Sequence, residues 1–415
     1  MRTREDLRRW ILAAWTLLTF MMVGLVSCSH GQEDLPELPD SEGGFRIGLE
    51  LTVAVPTGST RAPEGDYDPG QGWENNIDLD GGDYRILVFS HHPDVDNRDM
   101  LIGELTDLRI ELLLDGPSSK TYSVSGSISK EAAEAMTAGN SKIAVFANWG
   151  DYTAIDRLSL SEATLSDIWK TAQFSFAAML EGERQHPLGP DNLMPYYGIT
   201  NPLAPVEFDG NLYASGGTIH LLRALAKVEL QEMENSVEIE SVRIRRYNTK
   251  GFLLPYHYRT RNEYLKGSYD NDYSQLPHIP EASEAEEGVI YFNHITGSSS
   301  WTVYLPEFDN LTPLSDATRS RIEVKFKGYD SYETLYFSRY STPESNGISV
   351  RGADFDVLRN NWYRYRIFKN LQVTVDVIPY IGVDLHPEFG FDDLLPRPPS
   401  DSDVPPWVDI YPDEP

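Results

Sequence analysis

The chain has 415 residues, of which 40% are hydrophobic, with 23 tyrosines, 31 glycines, 27 prolines and a single cysteine. Its length suggests two domains with real cores, its Tyr, Gly and Pro usage leans toward β structure with many turns, and one thiol excludes an internal disulfide framework. A formal net charge of −29 repels phosphate backbones and anionic headgroups, so no nucleic-acid partner is expected.

The N-terminus carries Arg2, Arg4, Arg8 and Arg9, followed by "WILAAWTLLTFMMVGLV", Trp10 to Val26, without a charge. That is a basic n-region and an apolar h-region, shorter than the roughly 20 residues that span a bilayer comfortably and longer than the ~7 to 15 of an average signal core. Length does not decide between them; "LVSC", Leu25 to Cys28, does, because it resembles the lipobox of bacterial lipoprotein signal peptides. The resemblance implies a signal peptide over 1–27, with Cys28 as mature N-terminus and lipidation site; two or more acyl chains give stable anchoring where one is marginal. Removing 1–27 takes four arginines and two acids and leaves a net charge of −31. The following "SHGQED" is similar to the surface-export signals of some Gram-negative lipoproteins.

A polar tether over 28–45 leads into "RIGLELTVAVP", where Ile47, Leu49, Leu51, Val53 and Val55 alternate with Arg46, Gly48, Glu50, Thr52 and Ala54. A period of two marks a half-buried strand. "YRILVFS" and "KIAVFANW" are unbroken apolar runs suited to strands covered on both faces, while Leu108, Ile110 and Leu112 alternate and "YSVSGSI" follows. Helices are expected at "SKEAAEAM", capped by Ser129, and at "SLSEATLSDIWKTA", with Ser161 as the candidate cap. In the second half, Ile322, Val324 and Phe326, then Tyr363, Tyr365 and Ile367, then Leu371, Val373, Val375 and Val377 alternate until Pro379, and "VIYFNH" and "WTVYLPEF" add two strands. "LLRALAKVEL", Leu221 to Leu230, consists of good helix formers, yet Leu222, Ala224, Ala226, Val228 and Leu230 share one strand face with Arg223, Lys227 and Glu229 opposite; a strand is expected.

The resulting fold class is all-β, two β-sandwiches in tandem with short helical insertions, over 46–216 and 217–390. Residues 256–288, rich in tyrosine, read as a long loop inserted in the second, and 391–415 as an acidic Pro-rich tail.

"LLRALAKVEL" resembles the R-x-x-A-K-V strand near the domain junction of fimbrillins, the subunits and accessory proteins of type V pili. "YRILVF", "KIAVFANW", "WTVYLPEF" and the pair "LRNNWYRYRI" and "LQVTVDVIPY" resemble, in order, other strands of that family, and together they span most of 46–390. The family's "PM-[ST]-G" element stands here only as "MPYYG", Met194 to Gly198, and the 256–288 insertion and proline tail do not fit a polymerising stalk subunit. The resemblance implies two transthyretin-like sandwiches and a lipid-anchored precursor placed at the outer membrane or in a fimbrium. It also implies partners that are other pilus subunits joined by β-strand addition, and a host or bacterial surface ligand. In stalk members an arginine-specific protease removes the lipidated segment with the first strand; anchor members keep the lipid. Arg61, in "TGSTRAPEGD", is the better processing candidate because that segment is expected to be exposed, and cutting there removes the alternating strand; Arg46 is second, since a cut there leaves the strand in place.

No catalytic pattern is present: there is no G-x-S-x-G, H-E-x-x-H or phosphate-binding glycine loop, and "SISK" lacks its companion elements. No enzyme, cofactor or metal is therefore expected. "HHPDVD", His91 to Asp96, gathers imidazoles and carboxylates but is read as a solvated loop, and "DVDNRD" fails the calcium-loop pattern at Arg98. The competing function is a stand-alone surface lipoprotein that binds glycan or protein through the Tyr-rich loop.

Overall fold

The computed structural model describes residues 44–54, 72–91, 99–116, 119–176, 188, 193–200, 203–209, 212–233, 238–254, 288–294, 297–310, 315–341, 349–368 and 372–379. The alternation read at 46–55 becomes β1 (Phe45–Ala54), with Ile47, Leu49, Leu51 and Val53 buried and Glu50 exposed. β1 lies inside a four-stranded sheet of order β4 (Thr106–Asp115), β5 (Ser119–Ile128), β1, β9 (Tyr213–His220). The opposing sheet has order β10 (Leu222–Arg223), β8 (Tyr196–Ile199), β6 (Asn140–Ala147), β2 (Tyr84–His91), β3 (Met100–Glu104). Its central pair, β2 and β6, runs antiparallel from Tyr84↔Ala147 to His91↔Asn140. Ile86 to Phe89 and Ile143 to Ala147 are all buried, as an apolar run without alternation requires.

The second half repeats the plan. One sheet has order β15 (Asn293–His294), β16 (Ser300–Leu305), β11 (Ala226–Glu232), β21 (Asn361–Ile367), β22 (Val373–Pro379), and the other β14 (Val289–Tyr291), β12 (Ile239–Arg245), β17 (Arg321–Phe326), β18 (Tyr332–Tyr336). Val324, Phe326 and Leu335 of the second face Ile367 and Val373 of the first across a cavity of about 120 Å³. Two ribbons complete the described strands: β7 (Gln173–Ser175) with β13 (Lys250–Phe252), and β19 (Ser338–Ser341) with β20 (Val350–Asp354). β11 is bordered by an antiparallel and a parallel neighbour, β16 and β21, just as β1 is by β5 and β9. The fold is all-β.

Helix α1 (Lys130–Ala138) has the expected cap, the Ser129 hydroxyl accepting from Ala132 N–H at 3.2 Å. A short α2 (Thr153–Asp156) was not foreseen. α3 (Leu165–Thr171) begins later than expected, and Thr164 caps it rather than Ser161. Thr164 and Asp167 form a reciprocal capping box, whereas Ser161 has a φ of 62° and sits in the preceding turn.

The segment Leu221 to Leu230 is extended, not helical, but it is two strands rather than one. β10 pairs with β8 and β11 with β16 and β21, and the break falls at Ala224–Leu225, where Ala224 N–H donates to Pro195 O and Leu225 O accepts from Asn360 N–H. The exchange of partners thus comes after the 216/217 division, because β9 runs through that point and pairs with β1. The alternation at Leu108, Ile110 and Leu112 does not mark a buried face at its end: β4 is the sheet's edge, and Leu112 is 42% exposed.

Candidate functional site

β1 is held on both edges. It pairs antiparallel with β5 along its whole length, from Phe45↔Ile128 to Ala54↔Ser119, and parallel with β9 from Arg46↔Tyr213 to Thr52↔His220. A bulge between Gly48 and Glu50 places Gly216 and Gly217 opposite Leu49. Gly217 has a φ of +79°, and a Cβ on Gly216 would come within 2.3 Å of Leu49 Cδ2 and 2.8 Å of Ile143 Cδ1. Those two glycines let Leu49 reach the facing sheet. Ile47, Leu49, Leu51 and Val53 are at most 4% exposed. At about 1.5 to 3 kcal/mol for each fully buried side chain, β1 contributes on the order of 6 to 12 kcal/mol of burial. That is comparable with the whole stability of a domain, roughly 5 to 15 kcal/mol, so the groove between β5 and β9 needs a strand in it.

Downstream of β1 the chain forms a 3₁₀ turn at Gly72–Asn75, whose Glu74 and Asn75 are each 1% exposed. Lys227 of β11 donates to Glu74 Oε1 at 3.1 Å, and the Tyr304 hydroxyl of β16 donates to the same oxygen. From the other sandwich, Tyr196 of β8 donates to the Glu74 carbonyl, and Tyr122 of β5 donates to the Asn75 carbonyl at 3.0 Å while accepting from Ile77 N–H. Burial raises the Tyr196 hydroxyl above its ordinary pKa, which keeps it a donor. Arg223 of β10 donates to Asn75 Oδ1 and, at 3.2 Å, to Asn360 Oδ1. Trp73 packs edge-on against the Tyr304 ring at 5.6 Å. Asn148, in the left-handed region at φ 57°, donates to Asn76 O and Met194 O and accepts from Asp78 N–H. A neighbouring cluster joins Arg359 Nε to Glu307 Oε2 at 3.0 Å, with further donation from Arg359 to the carbonyls of Phe252, Leu253 and Leu254.

Arg223 and Lys227 read from sequence as the polar face of a strand, opposite its apolar residues; they are 2% and 6% exposed, because the turn covers them. Arg223 and Lys227 of "LLRALAKVEL", Asn148 of "KIAVFANW", Tyr304 of "WTVYLPEF" and Asn360 of "LRNNWYRYRI" thus meet around the turn and the residues that follow it. Periodicity misses this, and the signal that could have found it is a basic residue inside an otherwise apolar stretch.

Of the residues singled out for processing, Arg46 lies in β1, its N–H donating to Leu212 O at 2.8 Å. Cys28 and Arg61 lie outside the described residues, as do most of the 256–288 loop and the proline tail. Of the "HHPDVD" cluster only His91 is described, and its Nδ1 is 2.6 Å from Asp99 Oδ1. Lys142 Nζ holds the other Asp99 oxygen at 2.7 Å, and burial lowers the Lys142 pKa against the pull of that carboxylate. Among the described residues no group of three His, Cys, Asp or Glu is placed to hold a metal.

No protein-family profile matches the chain, and no curated protein matches it in sequence. Among solved structures it is similar to a fimbrial assembly protein from Parabacteroides distasonis, with a TM-score of 0.42 at 11% identity over 81% of this chain and 96% of that one. It is also similar to the tip fimbrial protein Mfa3 from Porphyromonas gingivalis with C-terminal truncation, with a TM-score of 0.51 at 12% identity over 81% of this chain and all of that one. The chain has the all-β fold of that fimbrial tip protein.

Proposed function

We propose that this protein is a fimbrillin-like cell-surface component, structural and adhesive rather than catalytic, that associates with other pilus subunits by β-strand addition. The observation that carries the reading is the placement of β1: an N-terminal strand with an apolar inner face, flanked by β5 and β9, so that its loss opens one continuous groove with a free ladder on each wall. The likeness in fold to a fimbrial tip protein supports it. In this reading the precursor is lipidated at Cys28 and held at the outer membrane. A cut after Arg61 releases β1 with the lipid, and the terminal strand of another subunit takes its place; Arg46 serves less well, since β1 would stay. The two sandwiches act as domains meeting at Ala224–Leu225.

Limited digestion with an arginine-specific protease, followed by addition of a labelled peptide of the 45–55 sequence, tests this. Uptake of the peptide by the chain cut at Arg61, and not by the intact chain, is expected. A cut chain that takes up no strand peptide refutes strand addition.

A further inference from the structure

We propose that the Gly72–Asn75 turn is the fixed stop of the releasable segment, with Arg223, Lys227, Tyr304, Tyr196 and Tyr122 as positioning residues that keep strand loss local and the two sandwiches joined. This rests on the strand-release reading above and goes further, because it assigns a task to residues that never touch the incoming strand.

β1 ends at Ala54 and the turn begins at Gly72, so any cut that frees β1 leaves a new N-terminus only a short distance before Glu74 and Asn75. Loss of β1 removes burial comparable with a domain's whole stability, and unless something stops it, opening spreads into the neighbouring chain. Two routes for spreading exist. One runs along the backbone from the cut end toward β2; the other runs sideways through β5, whose Tyr122 stands opposite Leu51 of β1.

The turn blocks both. Along the backbone, Glu74 is held by a buried ammonium, a hydroxyl on its carboxylate and a hydroxyl on its carbonyl. Sideways, the same Tyr122 that loses Leu51 keeps its hydroxyl bonded to Asn75 O and Ile77 N–H. The anchoring groups come from both sandwiches: Tyr122, Tyr196 and Arg223 from the first, Lys227 and Tyr304 from the second, with Asn360 bonded to Arg223 from beside β21. All of these groups lie in strands or turns other than β1, so none is lost with it. A buried pair broken by removing one partner leaves an uncompensated charge, which makes the clamp hard to open one contact at a time.

The test uses the full chain with a specific protease site inserted after Arg61, so that the cut does not depend on natural processing. Hydrogen exchange is followed by mass spectrometry over 72–79 and 222–232, before cutting and after the cut segment carrying β1 has been removed. In the wild type, protection over both segments is expected to stay within about twofold of the uncut chain. In Lys227→Met, whose unpaired Glu74 already lowers protection over 72–79 in the uncut chain, cutting is expected to lower it at least tenfold further; Tyr304→Phe gives the same pattern more weakly and serves if Lys227→Met does not fold. Equal loss before and after cutting marks a purely structural role and overturns the proposal. So does wild-type exchange over 72–79 at unstructured rates once β1 is cut, or a cut Lys227→Met chain with wild-type protection. If strand peptide fails to replace β1 in the wild type, strand addition falls, while protection over 72–79 in the cut chain still decides the clamp.

Discussion

Replacing Leu49 with alanine isolates the contribution of β1. Leu49 is 4% exposed, stands opposite Val124 of β5 and fills the space left by Gly216 against Ile143. β1 is held on both edges by β5 and β9 and faces Ile143 of the opposing sheet, so the site cannot collapse around a smaller side chain. The loss should lie in the range for buried Leu→Ala, about 2 to 5 kcal/mol, which corresponds to a fall in Tm of roughly 4 to 20 °C for a domain of this size. Urea unfolding followed by tryptophan fluorescence should show a lower midpoint with an unchanged slope. Exchange of the cut variant's β1 for a wild-type strand peptide should then restore wild-type stability, because the altered residue has left with the strand. A loss below about 0.5 kcal/mol would mean that β1 is not part of the cooperative core. A deficit that survives strand replacement would mean that β1 is not the strand that exchanges.

Arg359→Met should cost about 3 to 5 kcal/mol in chemical denaturation, since Glu307 is 5% exposed and would be left a buried charge without that guanidinium. Gly216→Val should overpack the groove floor, costing about 1 to 3 kcal/mol in the precursor and weakening strand-peptide uptake after cutting, read by a titration with labelled peptide. Burial alone would raise the Glu323 carboxyl, but the hydrogen bond and charge of Arg243, with Arg245, outweigh it and hold the pKa below the ordinary 4.5. Its folded pKa is depressed, so its stabilisation is complete above the unfolded value and is lost as pH falls through the folded one. An acid titration of thermal stability should show Glu323→Gln losing less than wild type below about pH 4.5. Cys28→Ser should abolish partition of the precursor with membranes, read by fractionation; partition at the wild-type level would remove the lipidation assignment.

Strands with a clear period were legible from sequence: β1, β2, β6, β17, β21 and β22 each fall where alternation or an apolar run placed them. β9 was not, because "YASGGTIH" spends two of its positions on Gly216 and Gly217, which serve the close approach of Leu49 and carry no hydrophobic signal. The break within Leu221–Leu230 was hidden for a different reason: its side chains keep one alternation while the backbone changes partners, and hydrogen-bonding partners leave no mark on periodicity. The clamp was legible only as a resemblance. Arg223 and Lys227 fall within a motif and on the polar face of the alternation, which does not say what they meet, and Glu74, their counterpart with Asn75, sits in a turn without pattern.

The N-terminus of the protein recovered from the cell surface tests strand release most directly, and chemical labelling of free α-amines in the surface fraction before digestion and mass spectrometry reads it. A chain beginning at Ala62, without peptides from 45–54, is the expected result. A surface form that begins at acylated Cys28, or that keeps β1 covalently attached in assembled fimbriae, would contradict it.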